Sequence, residues 1–230
     1  MDIALYLLCL LSIVLCVFAQ IKVHSTFNKY SRVGSRAGLT AAEVARRLLD
    51  SNGLGYVRIE RVHGSLTDHY DSRANVLRLS DAVYANSSAA AVGVAAHEVG
   101  HAMQYARKYT PIKIRSALVH AQSFASRFAW ITIVLGLGVL SIVNYTIGTY
   151  VLLVGIGLFS VIALFELVTL PCEFNASANA LEALRNTGMY STDELTASRK
   201  VLTAAALTYV AALVSTVIQL LRLINIARRR

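Results

Sequence analysis

Uncharged, largely apolar residues gather into four long blocks along this chain, at residues 3–19, 128–143, 147–165 and 201–221. The first is close to the shortest helix that crosses a bilayer, and Gln20 and Ile21 extend it slightly. Asp2 stands where a cleaved signal peptide carries Lys or Arg, and no small-x-small pattern precedes Gln20, so an uncleaved anchor is expected. Only Asn144-Tyr145-Thr146 separates the second block from the third, which predicts an antiparallel membrane hairpin returning the chain to the face it left. The fourth block is long enough to span but carries Thr203, Thr208, Ser215, Thr216 and Gln219. It is expected to be a fourth span packed on the others, the alternative being a helix laid over the part of the chain outside the membrane.

Between the first two blocks the pattern shortens to that of a soluble domain. Thr40-Ala41-Ala42-Glu43 is a capping box ahead of Val44, Ala45, Leu48 and Leu49, and Asn52-Gly53 ends that helix. Residues 56–62 and 76–79 read as strands, with turn residues at 68–73 between them. Asn86-Ser87-Ser88 offers N-caps to an uncharged, Ala-rich run at 89–96, a helix poor enough in charge to be buried. Farther on, Pro171 suits the first turn of a new helix.

The expected organisation is an N-terminal transmembrane anchor (1–21), a domain of soluble character (22–127), a transmembrane hairpin (128–167), a helix region after it (168–200) and a C-terminal apolar helix (201–230). The fold class is a mainly α membrane protein, with three to four transmembrane helices and a small α+β domain. Composition agrees, because 56% hydrophobic residues and a mean hydropathy of +0.55 are too apolar for an ordinary soluble domain.

Charge sets the expected orientation. Lys22, Lys29, Arg32 and Arg36 follow the first block, and Lys108, Lys113, Arg115 and Arg127 precede the second. The 144–146 link carries no basic residue, so the positive-inside rule puts residues 22–127 in the cytoplasm. Arg222 and Arg228 to Arg230 object if the last block spans, but they are the smaller group. The net charge of +9 then reads as orientation and attraction to anionic lipid, and no nucleic-acid motif accompanies it. The three cysteines, without paired spacing, form neither a disulfide framework nor a zinc knuckle. His24, His63 and His120 are expected at solvent or an interface.

The chemistry is carried by His97-Glu98-Val99-Gly100-His101. Two histidines four apart share one helical face and can reach a single ion, while the glutamate beside the first is turned toward a water in the open position. By composition the chain would contain about 0.005 such motifs by chance. The alternative is an amphipathic helix whose histidines hydrogen-bond within a core. A catalytic Zn²⁺ takes a third protein ligand. Glu173, just beyond the hairpin and returned to the same face, is the candidate; Ser177, one turn later, would support the centre as a donor. Glu173 could instead be a helix-start carboxylate favoured by the dipole.

The chain resembles the YugP-type membrane neutral zinc metallopeptidases and, more distantly, the HtpX-type membrane proteases. The resemblance covers nearly all of it and rests on Gly38-Leu39-Thr40, Leu66-Thr67-Asp68-His69-Tyr70-Asp71, Ala95-Ala96-His97-Glu98-Val99-Gly100-His101-Ala102, Leu167-Val168-Thr169-Leu170-Pro171 and Leu207-Thr208-Tyr209-Val210-Ala211-Ala212. It implies a zincin-like domain of gluzincin type, with one Zn²⁺ on His97, His101 and Glu173, and Glu98 as catalytic base. Where the family carries Glu-Phe-Asp-Ala-Ser, this chain has Asn175 in place of the Asp. His69, Tyr70 and Tyr209 are candidate donors to a developing oxyanion. A sheet edge near residues 68–79 is a candidate for taking substrate backbone as an added strand.

The function expected is a multi-pass endopeptidase of the cell membrane, acting at the cytoplasmic face on polypeptides, membrane proteins among them. The alternatives are a protease cutting within the bilayer and a zinc-binding membrane scaffold without turnover.

Overall fold

The computed structural model describes residues 3–228, Ala4 by its backbone only. Seven helices and three strands follow in the order α1 (Ile3–Tyr30), α2 (Ala41–Ser51), β1 (Arg58–Val62), β2 (His69–Asp71), β3 (Val76–Ser80), α3 (Asp81–Tyr84), α4 (Ala89–Ala106), α5 (Thr110–Ile142), α6 (Tyr145–Asn186) and α7 (Thr192–Arg228). Helices α1, α5, α6 and α7 are each long and apolar enough to cross a membrane. The chain forms two compact units, both discontinuous in sequence: residues 1–18, 114–170 and 209–230 make one, and 19–113 with 171–208 the other.

The first unit is apolar outside as well as inside. Leu10, Leu11, Val14, Val134, Leu135, Leu153 and Val154 are all exposed, a surface matched to hydrocarbon rather than water. Its core joins Ala129 and Ile133 of α5, Leu152, Ile156 and Phe159 of α6, and Leu223 of α7. Helices α5 and α6 are joined by a tight link, shorter than the expected 144–146, since Tyr145 and Thr146 already belong to α6. Glycines let the two backbones meet: Gly136 faces Leu152, Gly148 faces Leu140 and Gly155 faces Ile133. A side chain on Gly148 would collide with the Leu140 backbone, so Gly148→Leu is expected to destabilise the hairpin by about 1–3 kcal/mol. Detergent-unfolding titration measures this, and unchanged unfolding would refute it. Helices α1 and α7 are joined by polar contacts, Ser12 Oγ to Ser215 Oγ at 3.2 Å and the Cys16 thiol donating to the Ala211 carbonyl at 3.5 Å.

The second unit carries the site. Thr40 caps α2 with the reciprocal box its sequence requires: the Thr40 side chain accepts from Glu43 N, and Glu43 accepts from Thr40 N. Asn52 ends that helix, and Gly53 follows at φ +73°. Val44, Ala45, Leu48 and Leu49 are buried against Leu77 and Leu79 of β3 and Ala95, Ala96 and Val99 of α4 in one core. The sheet runs β1-β3-β2, with β1 parallel and β2 antiparallel to β3. Arg78 of β3 binds Glu60 of β1 at 3.3 Å and Asp71 of β2 at 2.8 Å, charges of opposite sign bridging all three strands.

Two expectations are corrected here. Residues 69–71 are a strand, not part of a turn, and the turn is confined to the residues before β3, with Asn75 at φ +51°. Strand β3 is therefore central, and only β1 and β2 keep a free edge. Pro171 does not start a helix but lies inside α6. The missing N–H removes one bond of a helix 42 residues long, a loss the rest of the helix outweighs.

Candidate metal centre

Helix α4 begins at Ser88, whose Oγ accepts from Ala91 N, and runs buried through the unit. Its small residues allow close neighbours. Gly93 faces Ser198 of α7, whose hydroxyl donates to the Ala89 carbonyl at 2.8 Å. Gly100 faces the backbone of Ala176 on α6. This contact brings the α6 segment after Pro171 alongside the His97–His101 turn.

Three donors converge where α4 and α6 meet. Glu173 Oε2 lies 3.2 Å from His97 Nε2 and 3.7 Å from His101 Nε2. The ligand atoms of His97, His101 and Glu173 all lie within 4.8 Å of one another. The imidazoles stand edge to face, with ring centroids 4.8 Å apart. Ligands about 2.0–2.2 Å from a tetrahedral zinc sit about 3.3 Å from each other, so the separations to Glu173 suit a common ion. The outer nitrogens are engaged as well: Ser177 Oγ is 3.1 Å from His97 Nδ1, and Gln104 Oε1 is 3.0 Å from His101 Nδ1.

Electrostatics agree with the donor set. Burial works to raise the Glu173 carboxyl, but hydrogen bonds from His101 and His97 reverse this and hold it far below the usual carboxylate range. Burial works to lower the His101 imidazole, yet the bond with Glu173 and the charge of Glu98 leave it raised. A carboxylate buried at 4% exposure and facing two histidines calls for positive charge at that point. Glu98 is buried beside them, near enough to act on His101 and on Asp68. Burial, with a smaller contribution from Glu98, raises the Asp68 carboxyl against the bonds it accepts from Ser80 N and Oγ at 2.7 and 2.9 Å.

The remaining expected residues divide. Asn175 does not touch the three donors; its Oδ1 accepts from Gln104 Nε2 at 2.9 Å. His69 turns Nδ1 to the Thr67 carbonyl at 2.9 Å and Nε2 toward Arg78. Tyr70 donates to Asn75 Oδ1 at 3.1 Å, and its ring packs on Tyr105; burial first, then neighbouring Tyr56 and Tyr105, push its phenol up to about 12. Tyr209 sits on α7 in the apolar unit with its side chain exposed. His24, His63 and His120 are exposed, as expected. Gln104 and Asp68 were not anticipated. The signal for Gln104 is an amide one turn past His101 on a helix expected to be buried, because a buried polar group needs partners.

Residues 5–228 match the protein family described as "Putative neutral zinc metallopeptidase". The chain is also 44% identical over 214 residues to a protein of Bacillus subtilis (strain 168) named "Putative membrane protease YugP", covering 92% of this chain and 91% of that one. No solved structure matches it.

Proposed function

The chain belongs to this neutral zinc metallopeptidase family, and from that premise we propose that it is a membrane-anchored zinc endopeptidase. His97, His101 and Glu173 are the metal ligands, Glu98 the general base, and α4 with the three-stranded sheet forms a zincin-like core. The observation that carries the reading is the convergence of two Nε2 atoms and one carboxylate oxygen beside a further buried carboxylate. A zinc ion bound there supplies a Lewis acid for the scissile carbonyl and lowers the pKa of its bound water.

The chain's own residues do the rest. Glu98 takes the proton of the attacking water and returns it to the departing amine. Glu173, ionised throughout, balances the positive charge. Ser177 accepts from His97 Nδ1–H whenever Nε2 is the ligand, so it serves as an acceptor there rather than the donor its position first implied. The free edge of β2 is the place for an extended substrate to add as a strand. Substrates are unfolded or damaged polypeptides, membrane proteins among them. The basic residues flanking α1 and α5 favour a cytoplasmic site in the cell membrane.

The test uses the full chain purified in detergent. One zinc per chain is expected, with cleavage of an unfolded polypeptide that stops on chelation and returns with zinc. A zinc-loaded protein that cleaves no unfolded polypeptide would overturn the reading in favour of a binding role. Orientation is checked by single cysteines: a thiol at position 144 should react from outside and one at position 108 only from inside.

A further inference from the structure

Gln104 has no part in that mechanism, yet it is only 1% exposed and lies three residues past His101 on α4. Its amide nitrogen is 2.7 Å from the Cys172 carbonyl oxygen and 2.9 Å from Asn175 Oδ1, both on α6. A backbone carbonyl only accepts, so the amide atom facing Cys172 must be nitrogen; the flipped amide would set two oxygens together. Asn175 is held in kind, because its Oδ1 also accepts from Asn179 Nδ2 at 3.1 Å. Gln104 Oε1 is thereby turned to His101 Nδ1 at 3.0 Å, and since that oxygen only accepts, Nδ1 must carry the hydrogen. A neutral imidazole with its hydrogen on Nδ1 keeps a lone pair for an ion on Nε2, the nitrogen on the Glu173 side.

We infer that Gln104 is the positioning residue of this centre. Through one amide it fixes the tautomer and ring orientation of His101 and ties α4 to the α6 turn that carries Glu173. The two histidines differ in this respect. The hydroxyl of Ser177 beside His97 can rotate to donate or accept and so selects no tautomer, whereas the Gln104 amide is pinned by a backbone carbonyl and cannot turn. Cys172 directly precedes Glu173, so the same bond also holds the carboxylate ligand at its place along α6. Removing a group that orients a metal-bound histidine lowers metal affinity about ten- to a hundredfold.

The inference rests on the ligand reading proposed above, and the experiment separates the two. Gln104→Leu fills a similar volume without accepting a hydrogen bond. In chelator competition on the purified full chain it should bind zinc about ten- to a hundredfold more weakly than the wild type. In ¹⁵N-histidine spectra the zinc-loaded wild type should show a His101 Nδ1 proton protected from solvent exchange, and Gln104→Leu should lack it. A zinc affinity within about threefold of wild type in a folded Gln104→Leu protein, well short of the loss expected for an orienting group, overturns the inference. So does an unprotected Nδ1 proton in the wild type, which needs no variant to fold. If His101→Ala binds zinc as tightly as wild type, the ligand reading itself fails. If His101→Ala loses zinc while Gln104→Leu keeps it, only the role of Gln104 falls.

Discussion

Glu98→Gln is expected to lose about a hundred- to ten-thousandfold in turnover while keeping its zinc, the range that removal of a general base commonly costs. Glutamine matches glutamate in shape and can still hydrogen-bond to a water, but it has no basic oxygen to take the proton. Among the described residues, the group that could hold a metal consists of His97, His101 and Glu173, and Glu98 lies outside it. Its substitution should therefore leave metal content at one ion per chain. Glu173→Gln makes the contrast: it removes the charge that both imidazoles face at 3.2 and 3.7 Å, so zinc should be lost together with activity. Metal analysis beside an unfolded-polypeptide assay distinguishes the two variants. Undiminished cleavage by Glu98→Gln would remove it from the base role, and zinc loss in that variant would mean it binds the ion.

The contrast depends on where each group sits, and sequence shows only part of that. The spacing of His97 and His101 is a property of one helix, so period alone places both rings on a common face. Glu173 was reachable because a hairpin must return the chain to the side it left, an argument indifferent to the details of packing. Strand β2 was not reachable. His69, Tyr70 and Asp71 are too few to establish a period, and they form a strand by pairing with β3. Pro171 departs from the expectation for a related reason: proline commonly marks a helix start or end, but here α6 continues through it to Asn186. A buried amide at Gln104 signals a need for partners, but the carbonyl it bonds lies 68 residues away, a contact no local pattern encodes.

Gly100 tests how closely the site depends on such contacts. In an exposed helix interior, glycine is about 1 kcal/mol worse than alanine, so propensity alone favours Gly100→Ala. The structure predicts the opposite. A Cβ at Gly100 would press on the Ala176 carbonyl group, with its carbon at 3.0 Å and the Ala176 Cα at 3.2 Å, and both partners are backbone that cannot swing aside. Helices α4 and α6 would have to part, at a cost of about 1–3 kcal/mol for overpacking. The parting also has a direction, because His97 and His101 ride on α4 while Glu173 rides on α6. Misplacement by about 1 Å at a reacting centre can cost about a hundredfold in rate, so Gly100→Ala should weaken zinc binding and slow turnover by about that factor beyond its loss of stability. Gly138→Ala is the control, since a Cβ there meets nothing within 4 Å. Thermal unfolding, chelator competition and turnover of the two variants decide the matter. If Gly100→Ala matches Gly138→Ala in all three, the close approach of α4 to α6 does not set the metal geometry, and Glu173 would have to be held by contacts other than this one.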